Sequence, residues 1–367
     1  MRVMAKSTSY ECFLSLVKLA FFKSNYDTGD IEDCLRGCNE EGCKYLLSLV
    51  EENHFSTKLL HPFLEEFNVE GELLEIVKRD AIYETKYNRV LKLIADVTIK
   101  DNISYVLIKH YFIPYVKMLD IDVHICDPLE ILRLSEALND DGFVFYDFRF
   151  FSHPLKLGAK NFYLDPEGEV SVEIYPEIAA GRIIVGPSCE FIGKGIKVYI
   201  DGDLYVKALP PTENIYTMLT HDWYSQRIPL SLIVYAMKRL GTKDIERLIE
   251  LGFEWGTIAA VYTFLKLMSY VGELLDVSHE TIDKIGELIK ELDFGGKNVI
   301  DSELQRKSDI MFPVKIPYTW ILTSMPYHIK QLYRKTPLKN LLYDLYSHFT
   351  YTPIHVYGSI RSMFSNV

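Results

Sequence analysis

Asp120-Ile121-Asp122 and Glu173 are the residues of this chain whose types and spacing best suit chemistry. Leu119, Ile121, Val123 and Ile125 alternate with Asp120, Asp122 and His124, the period of a half-buried strand. Period-two geometry puts both aspartates on one face, about 7 Å apart. Like charges so placed repel unless a cation lies between them. Hard carboxylate oxygens suit Mg²⁺ or Mn²⁺, which are held by one or two carboxylates and substrate phosphates. Val170, Val172 and Ile174 alternate with Ser171, Glu173 and Tyr175, so Glu173 is the natural third ligand on a second strand. If the two strands pair, three carboxylates meet on one sheet face. Such a cluster suits phosphoryl or nucleotidyl transfer, with charge stabilised at both the attacking and the leaving oxygen. Spacing alone leaves another reading open, in which a DxD on an exposed edge is a solvated face that discourages aggregation. His124 shares the aspartates' side, and a surface histidine is the favoured reading of it.

The elements around these residues change period along the chain. From about 8 to 100 the pattern is helical, with Phe13, Leu16, Val17, Leu47, Val50 and the run from Phe63 to Leu74 at helical spacing. A strong helical stretch through Tyr87, Val90, Leu91 and Ile94 ends near Lys100-Asp101-Asn102. Short strands follow at Tyr105–Ile108 and around Asp120. A helix over Pro128–Leu138 is opened by Asp127 as its cap. Further strands are expected at Phe143–Phe151 and Val170–Tyr175, with a hairpin turning at Asp201-Gly202 between Ile196 and Val206. His153 and Lys160 fall in a polar loop. After Pro210-Pro211 the chain is helical again to about 290, with looser connections at Gly295-Gly296, Pro313 and Pro317. His221-Asp222 reads as a pair on a helix surface, and Phe191 to Gly195 as a turn. The fold class is therefore α+β, a small mixed sheet at 86–208 flanked by helical regions at 1–85 and 209–367. The last of these ends in a basic tail carrying Lys330, Arg334, Lys335, Lys339 and Arg361, suited to an RNA phosphate backbone and explained almost as well by a solvated helix face.

Composition narrows the classes. The 367 residues are 48% hydrophobic and 25% charged, which excludes a largely disordered chain. A net charge of −11 argues against a protein that coats nucleic acid with positive charge. No apolar run is long enough to span a membrane and no secretory signal is evident, so a cytoplasmic protein is expected. Glutamine occurs only at 226, 305 and 331, a depletion that fits a thermophile. Cys34, Cys38 and Cys43, with Cys12 or His54, invite a zinc reading, but their spacing lacks the paired ligands of a zinc site. In a thermophile some of the six cysteines could pair instead.

The stretch from Tyr87 to Ile125 resembles the start of a polymerase-β-like nucleotidyltransferase domain. It is most similar to a prokaryotic family with a helix, a "vLKG" strand and then "DIDL". Tyr105 to Lys109 takes the place of the LKG strand and Asp120-Ile121-Asp122-Val123 that of DIDL. SVEIYPEI, 171–178, is similar to the later "vElH" strand, with Tyr175 where the family has His. ALPPTENIYTMLTHDWY, 208–224, looks like the "PxPED…H" opening of the helical part. The resemblance implies that Asp120, Asp122 and Glu173 are the catalytic, metal-holding carboxylates. It also implies that Lys109, His110 and Lys117 lie where the nucleotide phosphates bind. His110 stands in the family's glycine position, where backbone approaches the triphosphate.

The implied function is Mg²⁺-dependent transfer of a nucleoside monophosphate from an NTP, such as ATP, to a hydroxyl of a small molecule, a protein or an RNA such as tRNA. The rival class is a catalytically degenerate nucleotidyltransferase fold serving as a nucleotide-sensing or protein-interaction module. A metal-dependent phosphohydrolase ranks below both, since it would want histidines among the ligands.

Overall fold

A computed structural model describes residues 2–22, 40–60, 72–118, 120–146, 161–180, 183–184, 186, 188–277, 280–306 and 310–335. The chain opens with helices α1 (Arg2–Phe22) and α2 (Glu40–Glu52) and a 3₁₀ turn at Thr57–Leu59. The long helix α3 (Glu72–Lys100) follows and runs unbroken across residues 85 and 86. It buries Val77, Tyr87, Val90, Leu91, Ile94 and Ala95, one helical stripe. Asn102 ends it with φ +48°, a left-handed conformation that asparagine tolerates, while the Ile103 N–H closes onto the Thr98 carbonyl at 2.9 Å.

Seven strands then make one mixed sheet: β1 (Val106–Ile108), β2 (Asp120–His124), β3 (Val144–Tyr146), β4 (Asn161–Leu164), β5 (Ser171–Tyr175), β8 (Ile196–Asp201) and β9 (Leu204–Ala208). Their order is β3-β4-β5-β2-β1-β9-β8. The β2/β5 and β1/β9 pairs are parallel and the other four antiparallel. Strands β6 (Ala179–Ala180) and β7 (Ile183–Ile184) form a separate small hairpin. Helix α4 (Pro128–Asp140) has Asp127 as its cap, accepting from the Leu129 N–H at 2.8 Å, with Pro128 at its first position. A short helix, α5 (Ser188–Gly193), precedes β8.

The sheet is covered on both faces. Leu107, Ile121, Val123, Val172 and Ile174 pack with the apolar stripe of α3 and with Leu134 and Leu138 of α4. Val106, Ile108 and Tyr175 face the helical part on the other side. Strand β2 is therefore not half-buried as its alternation suggested, because Asp122 and His124 are buried as deeply as Ile121 and Val123. Strand β4, to which the sequence pattern assigns no element, pairs with both β3 and β5. Of the expected strand at 143–151, Val144–Tyr146 forms, and 147–151 lie outside the described residues, as do His153 and Lys160.

The C-terminal part comprises α6 (Pro211–Tyr224), α7 (Leu230–Arg239), α8 (Thr242–Trp255), α9 (Ile258–Leu274), α10 (Glu280–Lys290), α11 (Lys297–Arg306) and α12 (Tyr318–Lys335). Strands β10 (Arg227–Ile228) and β11 (Val314–Lys315) pair within it. It does not stand apart from the N-terminal helices. Phe13, Leu16, Leu46 and Phe55 share one core with Leu232, Phe312, Val314 and Trp320. The Tyr10 hydroxyl donates to the Ile310 carbonyl and accepts from the Phe312 N–H, and the Asn53 amide donates to the Phe312 carbonyl at 3.2 Å. The two helical regions expected to flank the sheet thus form one body. Gly256 seals α8 against α12 with φ +76°, and a Cβ there would meet the His328 Cα at 2.5 Å.

Cys126, just past β2, is bonded to Cys189 at the start of α5. Cys12 is buried, whereas Cys34, Cys38 and the basic tail beyond 335 lie outside the described residues. Among the described residues no helix is long and apolar enough to cross a membrane.

One side chain of helix α6 clamps the turn that follows β1. The Asn214 carboxamide accepts from the His110 N–H at 3.2 Å and donates to the His110 carbonyl at 2.6 Å, all of it buried. Replacing it by Leu strands two buried backbone groups, each costing about 1–3 kcal/mol. Asn214→Leu should therefore lower unfolding free energy by about 2–6 kcal/mol in urea titration. A loss below about 0.5 kcal/mol would show that the clamp is not structural.

Candidate metal centre

The sheet register assembles the carboxylates. Strands β2 and β5 run parallel with Asp120 opposite Ser171 and Asp122 opposite Glu173. All three acidic side chains stand on the same sheet face, and one oxygen from each lies within 4.8 Å of the others. Asp122 and Glu173 are buried and Asp120 is half-buried. Around a Mg²⁺ with oxygens at about 2.1 Å, neighbouring oxygens lie about 3.0 Å apart and opposite ones about 4.2 Å, so the trio would draw closer together on sharing one ion. Three oxygen donors, no sulfur and no ligating nitrogen make this donor set one for a hard divalent cation. The centre can hold a metal ion.

Electrostatics supports that reading. Burial first, then the adjacent Asp120, push the Asp122 carboxyl well above its ordinary range; Glu173 adds to the rise, while Lys109 and His221 oppose it. The Lys109 ammonium lies 3.4 Å from Asp122 Oδ1 and donates to the Tyr175 hydroxyl at 3.2 Å. Burial works against its charge, but Asp122, Asp120 and Glu173 outweigh burial and hold its pKa above normal, so it stays protonated. Even beside this cation Asp122 resists ionisation, first because it is buried and then because Asp120 and Glu173 add negative charge. A divalent ion would offset that negative charge.

Lys109 reaches this position because the chain turns sharply after β1. Its φ is +55°, in the left-handed region that a lysine enters at some cost. Tyr175, two residues beyond Glu173 on the same face, donates its hydroxyl to Glu173 in a short hydrogen bond. The sequence pattern puts it on the Glu173 side of the strand and in the place of the family's histidine, without giving it a role in the centre. The period-two spacing from Glu173 was the signal that could have placed it in the centre.

The other sequence candidates are placed differently. The His110 ring is buried, stacked on Tyr87 at 5.8 Å between centroids and 4.2 Å from the Phe112 ring. Its Nδ1 lies 2.9 Å from the Tyr87 hydroxyl, which is 3.5 Å from the Asp120 carbonyl oxygen. The side chain is thus part of the packing behind Asp120. Lys117 pairs with Asp80 at 2.6 Å, and Asp80 also accepts from the Thr57 N–H and hydroxyl at 2.9 and 2.7 Å. That network fastens the 3₁₀ turn to α3 and to the segment entering β2. His124, favoured as a surface residue, is fully buried, because β2 is covered on both faces; its Nδ1–H donates to the Tyr175 carbonyl at 2.8 Å. It ties β2 to β5 one pair beyond the carboxylates. His221 and Asp222 of α6 are hydrogen-bonded to each other at 3.2 Å, and His221 is partly exposed.

Compared with known proteins, the chain matches no protein-family model, and no curated protein matches it significantly.

Two measurements test the centre. With Mn²⁺ or Mg²⁺ at a hundredfold excess over Kd, the fold should gain about 2.7 kcal/mol. Asp122→Asn should abolish the gain, and an equal gain in that variant would place the ion elsewhere. Burial also holds the His110 imidazole down at about 3, against 6.5 in the unfolded chain. Its neutral form is the stable one, so its contribution is complete above pH 6.5 and is lost as pH falls toward 3, at about 1.4 kcal/mol per unit. Between pH 6.5 and 5 the wild type should lose about 2 kcal/mol more than His110→Gln in urea titrations. Equal losses would mean that the ring is solvated.

Proposed function

We propose that this protein is a metal-dependent nucleotidyltransferase that moves a nucleoside monophosphate from an NTP to a hydroxyl of an acceptor. The observation that carries the reading is the direct pairing of Asp122 with Glu173, beside Asp120, inside a largely buried face of a mixed sheet. It agrees with the resemblance of Asp120 to Val123 and of Ser171 to Ile178 to the two acidic strands of polymerase-β-like nucleotidyltransferases.

In this reading Asp120, Asp122 and Glu173 hold Mg²⁺ or Mn²⁺. The bound ion would supply positive charge against the developing charge on the phosphates. Glu173, which accepts from the Tyr175 hydroxyl, would also help to take the proton of an attacking hydroxyl. Lys109 keeps its charge and has three donors, so an entering phosphate oxygen can replace Asp122 as its partner. His110 keeps the turn after β1 in place through its packing on Tyr87 and the Asn214 clamp. Sheltering these groups from bulk water strengthens each charge interaction.

One observation favours a second reading. An ammonium already standing among the carboxylates is also what a metal-free descendant of such a site would use for charge balance. The protein would then be a nucleotide-sensing or interaction module of the same fold.

The test supplies each α-labelled NTP with Mg²⁺ or Mn²⁺ and with separate RNA, protein and metabolite fractions. The wild type should transfer label and release pyrophosphate, and the Asp120→Asn/Asp122→Asn double variant should fall to background. The labelled fraction names the acceptor class. Absence of transfer would contradict nucleotidyl transfer, and absence of NTP binding as well would leave only the interaction module.

A further inference from the structure

We propose that the cavity behind Asp120 is a binding subsite for a nucleobase, an inference that rests on the nucleotide chemistry proposed above. The cavity measures about 330 Å³, within the range of small-molecule sites. It lies between α3 and the connection from β1 to β2. Tyr83, Tyr87 and Asn88 come from the helix, and His110, Tyr115 and Lys117 from the connection.

Its chemistry selects the ligand class. The charged groups on its wall are matched: Lys117 with Asp80 at 2.6 Å, and Lys58 with Glu84 in a close ion pair. A triphosphate would meet the Asp80 and Glu84 carboxylates beside these cations and be repelled by them. A flat, uncharged heteroaromatic ring would not be repelled, and it could lie against tyrosine faces, the contact by which proteins commonly bind bases. Lys117, 5.4 Å from the Tyr83 ring centroid, and the exposed amide of Asn88 offer hydrogen bonds to the ring edge. The subsite is also coupled to the metal centre. Tyr87 lines the cavity while its hydroxyl sits 3.5 Å from the Asp120 carbonyl oxygen. One connection runs from Lys109, beside the carboxylates, around the cavity to Asp120. The Tyr87 side chain thus stands between the cavity and the backbone of Asp120.

The base can come from the donor NTP or from the 3′ end of an RNA acceptor, and calorimetry on the full chain separates them. In EDTA, each of the four nucleosides is titrated alone; then each NTP is titrated with Mg²⁺, and short oligoribonucleotides ending in each base are titrated in EDTA. At least one nucleoside or one oligonucleotide should bind without metal. Tyr83→Ala should weaken that binding about tenfold or more. Asn88→Leu, at an exposed position that leaves the fold intact, should weaken it severalfold. Asp120→Asn/Asp122→Asn should leave it within about twofold, since the base does not touch the carboxylates. An NTP that binds more tightly than its nucleoside marks the donor as the source, and preference for an oligonucleotide end marks the acceptor. Absence of nucleoside and oligonucleotide binding would overturn the subsite, as would binding that neither Tyr83→Ala nor Asn88→Leu alters. Base binding without label transfer would refute the nucleotidyltransferase reading but keep the subsite; label transfer without base binding would do the reverse.

Discussion

The parallel pairing of β2 with β5, Asp122 against Glu173, is the constraint on which the rest of the centre depends. Neighbouring strands lie about 4.8 Å apart, so the register brings two carboxylates closer than repulsion alone would allow. A shift of one residue would turn Glu173 into the apolar layer under α3 and bring Val172 to the metal face. The apolar layer opposes that shift, because Ile121, Val123, Val172 and Ile174 are all buried against α3 and α4. Hydrophobic burial on one face thus sustains an electrostatically costly arrangement on the other. The His124 ring adds a hydrogen bond from β2 to β5 on the costly face itself.

Around this pair the remaining contacts position the turn after β1. Lys109 adopts a left-handed conformation, and its ammonium meets Asp122 and Tyr175. Asn214 from α6 grips both backbone groups of the next residue, and Tyr87 from α3 backs its ring. The turn is therefore held from the helical body on one side and from the long helix on the other. The merger of α1 and α2 with the C-terminal helices gives that body the mass to act as a fixed wall, since Phe13 and Phe55 share a core with Phe312 and Trp320.

Much of this was readable in the sequence because it is local. Period-two alternation located β2 and β5, and with them Asp120, Asp122 and Glu173 on a common face. The Asp127-Pro128 cap and the Asp201-Gly202 hairpin carry their own short-range chemistry. What stayed hidden depends on contacts distant in the chain. Alternation cannot tell whether the polar side of a strand faces water or a second layer, so His124 looked like a surface residue although α6 and its neighbours cover that face. Asn214 is an ordinary polar residue near a helix start until His110 is brought to it from 104 positions away. Strand β4 has only four residues, too few for its period to show. The Cys126–Cys189 bond spans 63 residues and has no spacing signature. His110 and Lys117 fell where the nucleotidyltransferase resemblance expects phosphate contacts, yet both line the cavity behind Asp120. That displacement suggests a base subsite where the sequence suggested a phosphate one.

The central claim is that the three carboxylates share a divalent ion. The most direct measurement is a crystal structure grown with Mn²⁺ and a non-hydrolysable NTP analogue, read by anomalous scattering. The account predicts an anomalous peak with oxygens of Asp120, Asp122 and Glu173 at about 2.0–2.2 Å and with the Lys109 ammonium moved from Asp122 onto a phosphate oxygen. A Lys109 still bonded to Asp122, with Mn²⁺ bound elsewhere or nowhere, would contradict it.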